Sequence, residues 1–150
     1  MVRRMDFPYR IAGRRAPDGM PALVEAVAAE AASSNAERLV VGGRSMGGRV
    51  CSVAVAEGAV EAAGLVLISY PLHPPGHPDR RRDAHLPDLH VPCLFVSGTR
   101  DAFGTVDELE AAVAMIPGPV TFHWIEGGDH GLRRRDGEVA GIVAEWVAGL

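Results

Sequence analysis

A serine, an aspartate and a histidine stand out by their surroundings. Ser45 lies in Gly43-Arg44-Ser45-Met46-Gly47, Asp101 ends Gly98-Thr99-Arg100-Asp101, and His130 closes Glu126-Gly127-Gly128-Asp129-His130. A serine hydroxyl is a weak nucleophile at neutral pH and needs a base to take its proton. An imidazole can do that, and a carboxylate behind it fixes the tautomer and stabilises the imidazolium that forms. One candidate for each role is present. Each also has a plainer reading: Ser45 as a small turn residue, Asp101 as a turn or capping residue, His130 as a loop cap. Asp107 and Glu108 are weaker acids for the role because they fall inside a predicted helix, and Asp129 reads as a loop-stabilising side chain.

The elements that must position these groups follow from hydrophobic spacing. Arg38 to Gly42 is short, apolar and β-branched, the pattern of a buried strand, and Met46, Val50, Val53 and Ala54 continue at helical spacing. A strand that turns into a helix within two residues strains the corner residue, and the G-x-S-x-G pattern is the signature of such an elbow. Gly43 and Gly47 are expected to be glycine because side chains there would collide with the strand and helix. The helix start aims free N–H groups at whatever Ser45 attacks, so the Met46 backbone N–H is the expected oxyanion donor.

Along the rest of the chain, Val2 to Tyr9 reads as a short strand and Arg10 to Gly19 as a loop. Pro21 opens a helix reaching about Ser34. Gly64 to Ser69 and Pro92 to Ser97 are apolar strands, and Val120 to Ile125 is another. Thr105 with Glu108 forms a capping box for a helix whose stripe is Leu109, Ala112, Val113 and Ile116. The last helix runs from about Gly137 to Gly149. Residues 70–91, with Pro71, Pro74, Pro75, Pro78 and Pro87, fit no regular element and read as a lid-like insertion. Alternating strands and helices predict one α/β domain over residues 1–150 with a parallel sheet. In such a sheet functional loops gather at the carboxyl ends of the strands, where Ser45, Asp101 and His130 all fall.

Composition narrows the function classes. The chain has 150 residues, 47% of them hydrophobic, and a formal charge of −4. All fifteen basic residues are arginine and they are scattered, which does not suit nucleic-acid binding. Arg80-Arg81-Arg82 and Arg133-Arg134-Arg135 read as solvated loop charge, or as groups that greet an anionic substrate or partner. No apolar run is long enough to span a bilayer and no secretory signal is visible, so the cytoplasm is the expected location. Cys51 and Cys93 are expected to be buried free thiols. His123 lies within a strand and reads as structural. His73, His77, His85 and His90 are scattered among prolines with no helix to hold them at ligand spacing, so no metal is expected. The Gly42-to-Gly48 run has neither G-x-G-x-x-G nor P-loop spacing, which weighs against a nucleotide-binding domain.

The order Ser, Asp, His along the chain is that of the α/β-hydrolases. Gly42-Gly43-Arg44-Ser45-Met46-Gly47-Gly48-Arg49-Val50, Tyr70-Pro71-Leu72-His73-Pro74-Pro75-Gly76, Leu94 to Asp101 and Ile125 to His130 resemble small bacterial α/β-hydrolase-like proteins near the dienelactone hydrolases. That group has animal relatives in a histone-acetyltransferase-complex subunit and in testis-expressed protein thirty. The resemblance covers nearly the whole chain. It implies Ser45 as nucleophile, Asp101 as acid and His130 as base. It implies no substrate, and it differs from dienelactone hydrolases proper in having Ser where they have Cys. It also implies about three earlier strands and a His-Gly loop carrying a second oxyanion donor. Asp6-Phe7-Pro8-Tyr9 resembles the end of the family's fourth strand, with no such loop before it. The expected fold is therefore an α/β-hydrolase sheet lacking its first strands, with unpaired edges in mid-sheet, completed by an upstream extension or by a partner. The expected function is serine hydrolysis of a small ester-like substrate with no cofactor, no nucleic acid and no membrane, and with a homo-oligomer among the states open to it. The rival is a non-catalytic binding or scaffold protein on the same fold.

Overall fold

The computed structural model describes residues 1–150. In chain order the elements are α1 (Pro8–Ile11), α2 (Met20–Ala32), β1 (Val40–Arg44), α3 (Met46–Ala56), β2 (Gly64–Ile68), a 3₁₀ turn (Leu86–Asp88), β3 (Cys93–Gly98), α4 (Val106–Val113), β4 (Val120–Ile125) and α5 (Asp136–Ala148). The four strands are all parallel and lie in the order β1-β2-β3-β4. The order matches the chain because each strand returns beside its predecessor through a helix or, between β2 and β3, through the long 70–91 excursion. The unpaired edges are at β1 and β4, the two ends, so the strands are contiguous and no gap falls in mid-sheet.

Strand alternation sorts side chains onto two faces. Leu65, Leu67, Cys93 and Phe95 face one way, where they meet Leu23 and Val27 of α2, Val50 and Val53 of α3, and Leu109 of α4. Val66, Leu94 and Val96 face the other way and meet Ile125, Leu132 and Val139, the last on α5. Every residue of β3 is buried, as expected of a central strand covered on both sides. Tyr70 packs edge-on to Phe95 at 5.9 Å and Phe95 stacks on Phe122 at 5.5 Å, which ties the excursion to the sheet. Cys51 and Cys93 are buried and free. No helix is long and apolar enough to cross a membrane.

Two local expectations are corrected. Val2 to Tyr9 is not a strand: the segment has no ladder partner, Val2 is exposed, and Pro8 starts the short helix α1 instead. Proline at the first helical position carries no N–H to leave unsatisfied, and α1 turns Tyr9 into the core. The 70–91 excursion does contain regular structure, the Leu86–Asp88 turn, and Leu72, Leu86 and Leu89 pin it to the core with no exposure. The Thr105–Glu108 capping box forms as expected, with the Glu108 N–H donating to Thr105 Oγ1 and the Thr105 N–H donating to Glu108 Oε2.

Candidate functional site

Ser45 sits on the corner between β1 and α3 with φ 53° and ψ −123°, a conformation that costs a non-glycine residue about 1–3 kcal/mol. The ladder holds it there, because the Ser45 N–H donates to Ile68 O at 2.8 Å. Glycine at 43 is needed as expected: a Cβ would lie 3.0 Å from the Gly47 carbonyl carbon and from the Gly48 nitrogen. Gly47 corrects the expectation, since a Cβ there meets nothing within 4 Å. The crowded position is Gly48, whose Cβ would stand 2.6 Å from Gly43 O. The helix leaves the elbow at an angle that swings residue 47 outward and lays residue 48 against the strand. Gly48→Ala is therefore expected to destabilise the fold by about 1–3 kcal/mol, whereas Gly47→Ala should stabilise it by roughly 0.5–1 kcal/mol through helix propensity. Urea denaturation of the two variants checks the contrast.

The loops after β3 and β4 bring the other two groups to Ser45. They touch at Gly98, where a Cβ would fall 2.1 Å from Gly128 O. Two backbone bonds and one to a side chain fasten them: Thr99 N–H to Ile125 O at 3.1 Å, Arg100 N–H to Gly128 O at 2.9 Å, and Gly127 N–H to the Thr99 hydroxyl Oγ1 at 2.9 Å. The result is a continuous hydrogen-bonded chain. Asp101 Oδ2 and Oδ1 lie 2.8 and 3.0 Å from His130 Nδ1, and His130 Nε2 lies 2.8 Å from Ser45 Oγ. A carboxylate can only accept, so Nδ1 carries the hydrogen; Nε2 then accepts from the serine hydroxyl. The Asp101 side chain has no exposure, and that of His130 is 24% exposed. The three residues the sequence singles out are thus together, and the carboxylates of Asp107, Glu108 and Asp129 make no hydrogen bond or ion pair with His130. His123 is exposed on β4.

Several supporting residues were not read from the sequence. Phe103 stacks on the His130 ring at 3.9 Å between centroids, and its N–H donates to Asp101 Oδ1 at 2.8 Å. Arg44, the elbow residue before Ser45, donates to Gly131 O at 2.9 Å and pairs with Asp136, which binds the histidine loop to β1. The only advance signal was their nearness in sequence to Asp101 and Ser45. The N–H of Arg49 donates to Ser45 O at 3.1 Å, closing the first turn of α3. The N–H groups before it, that of Met46 included, belong to the helix start that has no intrahelical partner.

Beside Ser45 opens a cavity of about 410 Å³ whose wall includes Met46, Arg49, Pro71, Arg82 and Phe103. Two of these, Pro71 and Arg82, come from the 70–91 excursion. A second depression of about 350 Å³, lined by alanines of α2 with Leu39, Val60 and Glu61, holds no cluster of reactive groups. Two histidines of the excursion, His73 and His85, serve the fold, while His77 and His90 are exposed. His73 lies 2.9 Å from Pro74 O and 3.1 Å from Glu108 Oε2, and both contacts raise its pKa, the carbonyl more. Glu108 is held down to about 2, mainly by the Thr105 N–H and then by His73. No three His, Cys, Asp or Glu side chains are grouped so as to hold a metal ion.

His85 lies under α3 with Nε2 2.8 Å from Ser52 Oγ, whose hydroxyl donates to Arg49 O. Burial, and then the positive charge of Arg49, lower its pKa from 6.5 to about 4. The folded state therefore refuses a proton that the unfolded chain accepts, and stability falls as pH drops from about 6.5 to about 4. Urea midpoints measured across that window should fall less in His85→Gln than in the wild type; equal falls would contradict this.

Fold and site together define an α/β domain of the hydrolase type, with a hydrogen-bonded serine on a strand-to-helix corner. The sequence pattern described as the alpha/beta hydrolase domain matches residues 1–142, and the chain belongs to that family. It is 36% identical over 63 residues to epoxide hydrolase A of Mycobacterium tuberculosis, a match covering 41% of this chain and 20% of that protein. Solved structures share the fold. A monoacylglycerol lipase from Paleococcus ferrophilus aligns with a TM-score of 0.77 at 12% identity, over 91% of this chain and 77% of that one. A predicted CIB-like hydrolase from Thermoplasma acidophilum aligns with a TM-score of 0.68 at 16% identity, over 88% of this chain and 61% of that one. An alpha-beta serine hydrolase homologue from Coxiella burnetii gives 0.64 at 19%, over 91% and 62%. The chain thus spans a fifth of the epoxide hydrolase and about three fifths of the latter two proteins.

Proposed function

We propose that this protein is a serine hydrolase that transfers an acyl group from an ester-like substrate to water. The observation that carries the reading is the unbroken hydrogen-bonded chain from Ser45 Oγ through His130 to Asp101. Ser45 Oγ attacks the carbonyl carbon while His130 Nε2 takes its proton, and Asp101 holds the imidazolium. The Met46 N–H donates to the oxyanion, an interaction that elsewhere is worth roughly 10²–10³ in rate. Collapse expels the alcohol, which leaves with the proton from His130. A water then gives its proton to His130 and attacks the acyl-Ser45 carbonyl, releasing the acid and restoring the serine. The scheme draws on side chains, backbone and water alone.

The 70–91 excursion contributes Pro71 and Arg82 to the cavity wall, and this supports a role for it in substrate choice. The four sequence stretches quoted above support kinship with the dienelactone hydrolases and their animal relatives. Two free buried thiols suit a reducing compartment, so we place the protein in the cytoplasm. The test is turnover of 4-nitrophenyl butyrate by the purified protein. Saturable hydrolysis supports the enzyme. A folded protein that releases no nitrophenol above the buffer rate contradicts it and favours a binding or scaffold role.

A further inference from the structure

The cavity beside Ser45 carries positive charge that nothing in the protein neutralises. Arg49 is one helical turn beyond Ser45 on α3, and its Nε is buried without a hydrogen-bond partner. Arg82 lines the same cavity, and its guanidinium makes no hydrogen bond or ion pair either. Its backbone is fixed from both sides: the Arg82 N–H donates to Leu72 O at 2.8 Å, and the buried Tyr70 hydroxyl donates to Arg82 O at 2.6 Å. Burial lowers the Arg82 pKa, and the neighbouring charges of Arg49 and Arg80 lower it further.

The acids near enough to quench this charge are engaged. Asp18, on the cavity wall, is paired with Arg14 at 2.7 Å. Asp83 is held by Arg81 Nε and Nη2 at 2.9 and 2.6 Å. The neighbouring His85 adds no negative charge. A chain of net charge −4 therefore keeps two unpaired guanidinium groups at one small cavity. A buried guanidinium nitrogen left without an acceptor is costly and is satisfied by an anionic oxygen, which arginine binds in a planar, often bidentate geometry.

We propose that the substrate carries a carboxylate that seats against Arg49 and Arg82 while its ester carbonyl lies at Ser45. The site then hydrolyses half-esters of dicarboxylic acids in preference to their neutral counterparts. This rests on Ser45 being the nucleophile. The products are the dicarboxylate and the alcohol.

The experiment compares mono-4-nitrophenyl adipate with its methyl-capped diester, which has the same chain and leaving group but no charge. The wild type should favour the anion by about tenfold or more in kcat/KM, a preference that shrinks as salt is added. Arg82→Met and Arg49→Met should each cut that ratio severalfold, and Arg82→Lys should restore part of it. Because Arg82 contributes no side-chain bond to the fold, its variants test the idea even where Arg49→Met fails to fold. A wild-type ratio of one or below, or a ratio unmoved by Arg82→Met, overturns the proposal and leaves the serine chemistry standing. Titration of Ser45→Ala protein with monomethyl adipate separates the two readings further. Binding that is lost with Arg82→Met upholds the anion site even where neither ester is turned over; no binding overturns it.

Discussion

Replacing Ser45 by alanine should lower kcat for 4-nitrophenyl butyrate by about 10⁵–10⁶, to the level left by the cavity and the Met46 N–H. The size follows from the role proposed for the serine. In that mechanism its oxygen bonds to the carbonyl carbon, and water at the same place would lack both the fixed position and the direct bond to His130 Nε2 at 2.8 Å. His130→Ala should cost about as much, and the double variant little more than either alone, because serine and base act as one unit. The fold should hold in both. Ser45 is half-buried at the mouth of the site, and the ladder bond to Ile68 O comes from its backbone rather than its side chain. Alanine at φ 53° keeps the same strain, so the melting temperature should move by a few degrees at most. Steady-state kinetics beside a thermal melt read both expectations, and a drop of less than tenfold in kcat would contradict the nucleophile.

Asp101→Asn should lower kcat by roughly 10⁴ with little change in stability. The side chain is isosteric and fully buried, and its surroundings dictate how an amide would sit. The Phe103 N–H donates to Oδ1 at 2.8 Å and would keep an oxygen there, so the amide nitrogen faces His130 Nδ1. That nitrogen donates, so Nδ1 must accept and the proton moves to Nε2. The ring then has no lone pair for the Ser45 hydroxyl. The loss should fall in kcat more than in KM, since Asp101 does not line the cavity. A variant with near wild-type turnover would mean that the carboxylate does not set the tautomer.

What the sequence revealed was local. β4 falls on Val120–Ile125 as the apolar pattern placed it, and the Thr105–Glu108 cap starts α4 where spacing put it, because both depend on residues within one element. The convergence of Ser45, Asp101 and His130 was legible because each follows its own strand, and parallel strands bring such loops to one rim. The errors came where distant chain decides. Val2 to Tyr9 has strand-like residues but no neighbour to pair with, and local pattern cannot supply one. Gly47 and Gly48 differ only in the angle at which α3 leaves β1, which is a three-dimensional fact. Phe103 against His130 depends on how the loops after β3 and β4 meet, and Ser52 against His85 and the meeting of Arg49 with Arg82 at one cavity depend on how the 70–91 excursion folds back onto α3. Its Leu72, Leu86 and Leu89 do fold back because they are apolar, but their partners lie elsewhere in the chain.

The central claim is that the hydroxyl at the strand-to-helix corner is made reactive by the ring behind it. Peptide mapping by mass spectrometry after treatment with a fluorophosphonate tests it most directly. The account predicts a single adduct on the peptide holding residue 45 in the wild type, and none in a folded His130→Ala protein. An unmodified wild type, or an adduct on another residue or one that survives loss of the imidazole, would contradict it.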